Sequence, residues 1–111
     1  MKEICGRVTE YLQTTKAYTN PDFTIHMLSG ETGIQWKNIS AAINGYLNKN
    51  FFDLVNGMRV EEAKREFLSL GDNYTIDSIY TGCGFRSRTS FFRVFKKFEG
   101  ITPTSWFKNN S

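Results

Sequence analysis

Phe91, Val94, Phe95 and Phe98 recur at i, i+3, i+4 and i+7, directly behind the turn sequence Gly82-Cys83-Gly84-Phe85. That spacing lays one apolar stripe along a helix. The glycines break the helix before it and supply the positive φ a tight turn needs. The earlier helix runs over Ile76 to Thr81, with Thr75 as its N-cap, and Ser87 caps the later one. At 100° per residue, the side opposite the stripe carries Thr89, Arg93, Lys96 and Lys97. Between Arg86 and Lys97 stand five basic residues (Arg86, Arg88, Arg93, Lys96, Lys97) and no acid. Helix, glycine turn and a second helix with a cationic outer side describe a helix-turn-helix suited to a DNA major groove. A solvated basic face on an ordinary bundle helix is the plainer alternative.

Charge along the chain is uneven. Residues 1–50 hold five basic and four acidic side chains, residues 51–73 three and five, and residues 74–111 six and two. The net +3 is therefore concentrated in the last third, as a polyanion partner would require. The 111 residues include ten phenylalanines, enough for one domain or two very small ones with a core. Cys5 and Cys83 are too few and too far apart for a zinc site beside the lone His26, and read as buried free thiols. The N-terminus shows no signal-peptide pattern, and no apolar run approaches the ~18 residues of a transmembrane helix. The chain reads as soluble and cytoplasmic. No paired carboxylates, Cys/His or Ser/His arrangement or phosphate loop suggests an enzyme, and no cofactor or metal is expected.

Residues 3–15 read as an amphipathic helix with Ile4, Val8, Tyr11 and Leu12 on one stripe. Lys16 to Phe23 is a loop with Asn20-Pro21-Asp22 as its turn. Thr24 caps a short helix ending near Gly33, and a second runs from about Gln35 to Leu47. Its apolar side holds Ile39, Ala42, Ile43, Tyr46 and Leu47, and its outer side Lys37, Ser40, Ala41 and Asn44. Phe51 to Leu70 is the longest helical pattern. Its stripe changes direction, from Phe51, Leu54, Val55 and Met58 to Val60, Ala63 and Phe67, as serving two small cores would demand. Glu61 and Arg65 fall at i, i+4 in the favourable order. Gly100 ends the basic helix, and Thr102-Pro103 opens a last one.

Residues 24–47 and 75–98 repeat one pattern. Thr24-Ile25 matches Thr75-Ile76, and Gly33-Ile34 matches Gly84-Phe85. The second turn is about one residue longer, or its register is shifted. With CGF at Cys83–Phe85, SFFRVFKKFEGITPTSWFK at Ser90–Lys108 and RVEEAKREFL at Arg59–Leu68, the chain resembles the AraC/XylS-type DNA-binding domain of bacterial transcription regulators. The likeness covers essentially all of it. It implies an all-α fold of about seven helices over residues 1–111: a first helix-turn-helix unit at about 3–49, a linker helix at about 51–70 and a second unit at about 74–109. It also implies two readers entering successive major-groove segments on one DNA face, and no enzymatic activity. By matching positions, the first reader would face bases with Lys37, Ser40 and Ala41, and the second with Arg88, Thr89, Ser90 and Arg93. Tyr80 departs from the pattern, standing where the family usually has alanine.

Several residues admit two roles. Arg93 reads either a guanine edge or a phosphate. Arg86 and Arg88 sit where phosphate contact is favoured. Lys96 and Lys97 contact the DNA backbone or are solvated charge. Asn44 is late on its helix, and is either a DNA contact or simply exposed. Trp36 either stacks on sugar or a thymine methyl or forms a core edge, and His26 reads as an exposed helix residue. The expected partner is double-stranded DNA, with RNA polymerase open as a second. The isolated chain is expected to be monomeric and to be the C-terminal part of a longer regulator, with dimerisation through an upstream domain left open. The alternatives are a nonspecific or architectural nucleic-acid binder and a protein-interaction module.

Overall fold

A computed structural model describes residues 1–111. It contains seven α-helices and no strand: α1 (Lys2–Thr15), α2 (Ile25–Thr32), α3 (Trp36–Ala42), α4 (Phe51–Leu70), α5 (Ile76–Gly82), α6 (Arg88–Glu99) and α7 (Pro103–Asn109). The chain forms two compact units, Met1–Val55 and Asn56–Ser111, and α4 passes from one to the other.

In the first unit, Cys5, Val8 and Leu12 of α1 are buried, as are Leu28 of α2 and Ile39 and Ala42 of α3. The Cys5 thiol donates to the Ala42 carbonyl (3.2 Å), and Arg7 Nη2 donates to the Thr32 carbonyl (2.9 Å). The second bond places a cation on the C-terminal end of α2, where unpaired carbonyls and the helix dipole favour it. The stretch after α1 is more than a loop. Lys16 adopts φ 54°, a 3-10 turn follows over Ala17–Thr19, and Tyr18 is buried within it. The Asn20 side chain then accepts from the Asp22 N–H at 2.9 Å, closing the turn read from Asn-Pro-Asp.

The predicted Gln35–Leu47 helix is not uniform. Regular α geometry holds over Trp36–Ala42, and Ile43–Leu47 widens into a π turn ended by Asn48 at φ 56°. The apolar side changes with it. Ile43 remains buried while Tyr46 is 52% exposed.

The second unit is built on aromatics. Val60, Ala63 and Phe67 of α4 pack with Ile79, Cys83, Phe85, Phe91, Val94, Phe95 and Phe107. Phe67 and Phe107 stack at 4.3 Å with the rings 6° from parallel, and Phe95 meets Phe107 edge-on at 6.1 Å. Tyr80 is accommodated beside this core, half-buried and tilted against Phe91 at 6.1 Å. Phe98, expected on the buried stripe, is 38% exposed. It comes last on the stripe, and its ring lies over Gly57, where an added Cβ would meet Phe98 Cε1 at 3.5 Å.

The expected Glu61–Arg65 pair is replaced by i, i+3 pairs, Arg65 to Glu62 at 2.8 Å and Lys64 to Glu61 at 3.2 Å. Lys64 also reaches Glu99 of α6 at 2.8 Å and lies 5.5 Å from the Trp106 ring. Burial pulls the Lys64 ammonium down, but its bonds to Glu99 and Glu61 outweigh that and hold it above the ordinary lysine value. Both cysteines are free and buried, and burial, with Glu66 and Glu62 nearby, pushes the Cys83 thiol up to about 12. Such a thiol stays protonated and unreactive.

Candidate nucleic-acid interface

Each unit holds one helix-turn-helix, and the two follow a common register. Thr24 and Thr75 are both N-caps, their hydroxyls accepting from Met27 N and Ser78 N. Thr75 completes a capping box with Ser78. The buried Leu28 and Ile79 follow four residues after the caps. Gly33 and Gly84 follow at nine residues, with φ 74° and 105°, the left-handed conformation a side chain resists. Gly82 does not share that role: it is the last residue of α5. Ile34 and Phe85 then tuck in as the buried residue of each turn.

One residue separates the two turns. Gln35 caps α3 directly after Ile34, whereas Arg86 stands between Phe85 and the Ser87 cap. From there the buried positions align again with an offset of one: Ile39 with Phe91, Ala42 with Val94, Ile43 with Phe95.

The α6 stripe is anchored in the aromatic core, so its other side must face outward. Arg86, Arg88, Thr89, Arg93, Lys96 and Lys97 are exposed and Ser90 is half-buried. The Ser87 hydroxyl accepts from the Ser90 N–H and donates to the Ser90 hydroxyl, both at 3.1 Å. Arg88 lies 5.6 Å from the Phe92 ring and Lys97 5.8 Å from that of Phe98. Lys96 and Lys97 occupy the last turn of α6, where they also complement the helix dipole. The one acid of α6, Glu99, is held by Lys64.

On α3, Lys37 and Ala41 are exposed and Ser40 is half-buried, and Asn44 just beyond it is exposed. Asn44 falls in the π turn and folds back, its Nδ2 donating to the Ser40 carbonyl at 2.9 Å. Its hydroxyl neighbour, Ser40 Oγ, lies 3.4 Å away. Trp36, read in sequence as a core edge or a DNA-facing ring, is 42% exposed. His26 meets it edge-on at 5.3 Å and the Lys37 ammonium lies 5.9 Å from its centroid. That pairing across the turn had no signal in the sequence beyond the presence of two ring residues.

Two capped helix-turn-helix motifs, each with a buried stripe and an outward polar side, define a double helix-turn-helix domain. The protein family described as "Helix-turn-helix domain" matches residues 28–109. The chain belongs to this family in its AraC-type form, a family of DNA-binding transcription regulators. Among solved structures, it is similar to the C-terminal domain of AraT, a response regulator from Geobacillus stearothermophilus. The TM-score is 0.82 at 24% identity, covering 96% of this chain and 84% of that one. It is also similar to the C-terminal domain of the two-component response regulator yesN from Fusobacterium nucleatum, with TM-score 0.74, 26% identity and coverage of 89% and 96%. A third is the DNA-binding domain of the global transcriptional factor AdpA in complex with a target DNA, with TM-score 0.76, 16% identity and coverage of 93% and 91%. No curated protein matches the chain. No helix is long and apolar enough to cross a membrane.

Proposed function

We propose that the chain is a sequence-specific reader of double-stranded DNA, the C-terminal output part of a longer regulator, with α3 and α6 as its two reading helices. The observation that carries this is α6. Its apolar stripe is locked into an aromatic core while Thr89, Arg93, Lys96 and Lys97 are exposed on its other side and Arg88 is exposed at its start. Neutralised phosphates supply most of the affinity of such a surface, and a few side chains at base edges supply discrimination. Arg88, Thr89, Ser90 and Arg93 of α6, and Lys37, Ser40 and Ala41 of α3, are the base-side candidates. Arg86, Lys96, Lys97 and Asn44 flank them. Two C-terminal domains of response regulators among the similar structures support the place in a longer protein. The AdpA domain with its target DNA supports the partner. RNA polymerase stays open as a second partner. The isolated chain binds as a monomer, since each of its units carries its own reading helix.

The test is selection of duplexes from a randomised library, followed by gel shifts of the selected duplex with and without excess mixed-sequence competitor. About 5–8 phosphate contacts give a log–log salt slope of about −0.9 per contact. A slope near zero removes DNA as the partner. A complex that competitor abolishes leaves a nonspecific binder.

A further inference from the structure

We propose that Trp36 is a DNA-contacting residue of the first unit, its indole seated on the apolar C–H surface of the duplex beside the groups that α3 presents. This rests on α3 being a reading helix. Three observations carry it. The first is exposure: 42% of a tryptophan is left open at the start of α3, where core packing has claimed Ile39, Ala42 and Ile43 instead. A large exposed ring beside polar neighbours gains by being covered.

The second is register. Trp36 opens α3 and Arg88 opens α6, and the common offset of the two units pairs these positions. The same offset pairs Lys37 with Thr89 and Ala41 with Arg93. Where the second unit begins its reading helix with a cation, the first begins with a ring. In a regular helix Trp36 shares a side with the buried Ile39 at i+3 and the half-buried Ser40 at i+4, so the ring sits at the edge between the buried stripe and the outward residues.

The third is how the ring is held. His26 of α2 braces it edge-on at 5.3 Å, while the Lys37 ammonium lies 5.9 Å from its centroid. A lysine that moves to an acceptor on the DNA leaves the ring and uncovers it. The duplex supplies the replacement surface: a thymine methyl in the major groove or the C–H face of a deoxyribose. Capture of a DNA acceptor by Lys37 and ring burial by Trp36 are then one event.

Fluorotryptophan labelling of the full chain gives two fluorine resonances, one each from Trp36 and Trp106. The Trp36 resonance is identified by its loss in Trp36→Phe. On addition of the duplex selected above, the Trp36 resonance is expected to shift while that of the half-buried Trp106 stays. Trp36→Ala is expected to weaken binding about ten-fold with an unchanged melting temperature, and Trp36→Phe to retain most of the affinity. Replacing thymine by uracil in the duplex, which deletes the methyl, separates the two surfaces. Weakened binding to the uracil duplex that Trp36→Ala also loses assigns the methyl, and unchanged binding assigns the sugar. A gel-shifted complex in which the Trp36 resonance does not move, or a Trp36→Ala protein that binds normally, overturns the assignment and leaves the DNA reading standing. Failure of every duplex to bind overturns both.

Discussion

The two helix-turn-helix units share a register but not a chemistry. The first builds its core from aliphatic residues such as Leu12, Leu28, Ile39 and Ile43, and the second from Phe67, Phe91, Phe95 and Phe107. The reading helix of the first has seven regular residues, no side-chain cap and one lysine. That of the second has twelve, a serine cap and four basic residues, with Arg86 just ahead of it. Even the one-residue difference between the turns adds a basic group, Arg86. A shared backbone plan thus carries two kinds of surface. On the proposed reading, long-range attraction falls to the second unit and close contact by small groups and one ring to the first. Charge dominates affinity, while short polar and apolar groups discriminate between bases, so the units are expected to divide the work.

The largest effect should come from the cores. Phe95→Ala removes a fully buried ring and is expected to cost about 3–5 kcal/mol, with Ile43→Ala, its counterpart in the first unit, at about 2–5 kcal/mol. Either is a large share of a small domain's stability. Urea denaturation followed by tryptophan emission reads both. A loss under about 1 kcal/mol for Phe95→Ala would mean that α6 is not anchored as described.

Next come the surfaces. Arg88→Ala with Arg93→Ala is expected to weaken DNA binding more than Lys37→Ala with Asn44→Ala, and to flatten the salt slope by about two units against about one. If Arg93 pairs with guanine, its loss alone costs about 1–3 kcal/mol and relaxes preference at one base pair. Both double variants, titrated on one duplex at two salt concentrations, decide it. Equal losses, or a larger loss from α3, would reverse the assignment of affinity to the second unit.

Caps sharpen the comparison at a smaller scale. Ser87→Ala deletes the acceptor for the Ser90 N–H and is expected to cost about 1 kcal/mol. Gln35 makes no such bond, so Gln35→Ala should stay within about 0.5 kcal/mol of the parent. Thermal melts of the pair test whether the two reading helices start by different means.

The smallest effect belongs to Lys64. Its folded pKa is raised, so the stability that it contributes is fully present below the ordinary lysine value and is lost as pH rises through the raised one. The stability gap between the parent and Lys64→Met should therefore be constant near neutrality and shrink above about pH 10.4. A gap that widens in alkali would show that the ammonium is not what binds Glu99.

Local chemistry explains why so much was legible beforehand. Thr24, Thr75, Ser87 and Thr102 each stand before an apolar period, and each caps a helix. Gly33, Gly84 and Gly100 all take positive φ where a helix had to stop. The exposure of Arg93, Lys96 and Lys97 on α6 followed from the phase of its phenylalanines, whereas that of Arg88 did not. What escaped depends on neighbours distant in sequence or on helix geometry with no residue signature. Arg65 satisfies Glu62 rather than Glu61, because the Lys64 ammonium is the group that reaches Glu61 and Glu99. Tyr18 is buried by a turn that follows a left-handed lysine. Asn44 keeps its exposed position but points its amide at Ser40, which a wheel of 100° steps does not foresee.

The π turn at Ile43–Leu47 has a consequence for how this chain can change. An added residue in a regular helix rotates everything beyond it by about 100°. A π turn instead absorbs an extra residue in one wide turn. Lys37, Ser40 and Ala41, with the buried pair Ile39 and Ala42, lie before it, and the buried Ile43 is its first residue. Length can then be gained or lost between Gly45 and Asn48 without turning the proposed reading face, which makes this stretch a place where related sequences can drift in spacing while keeping the same surface toward their partner.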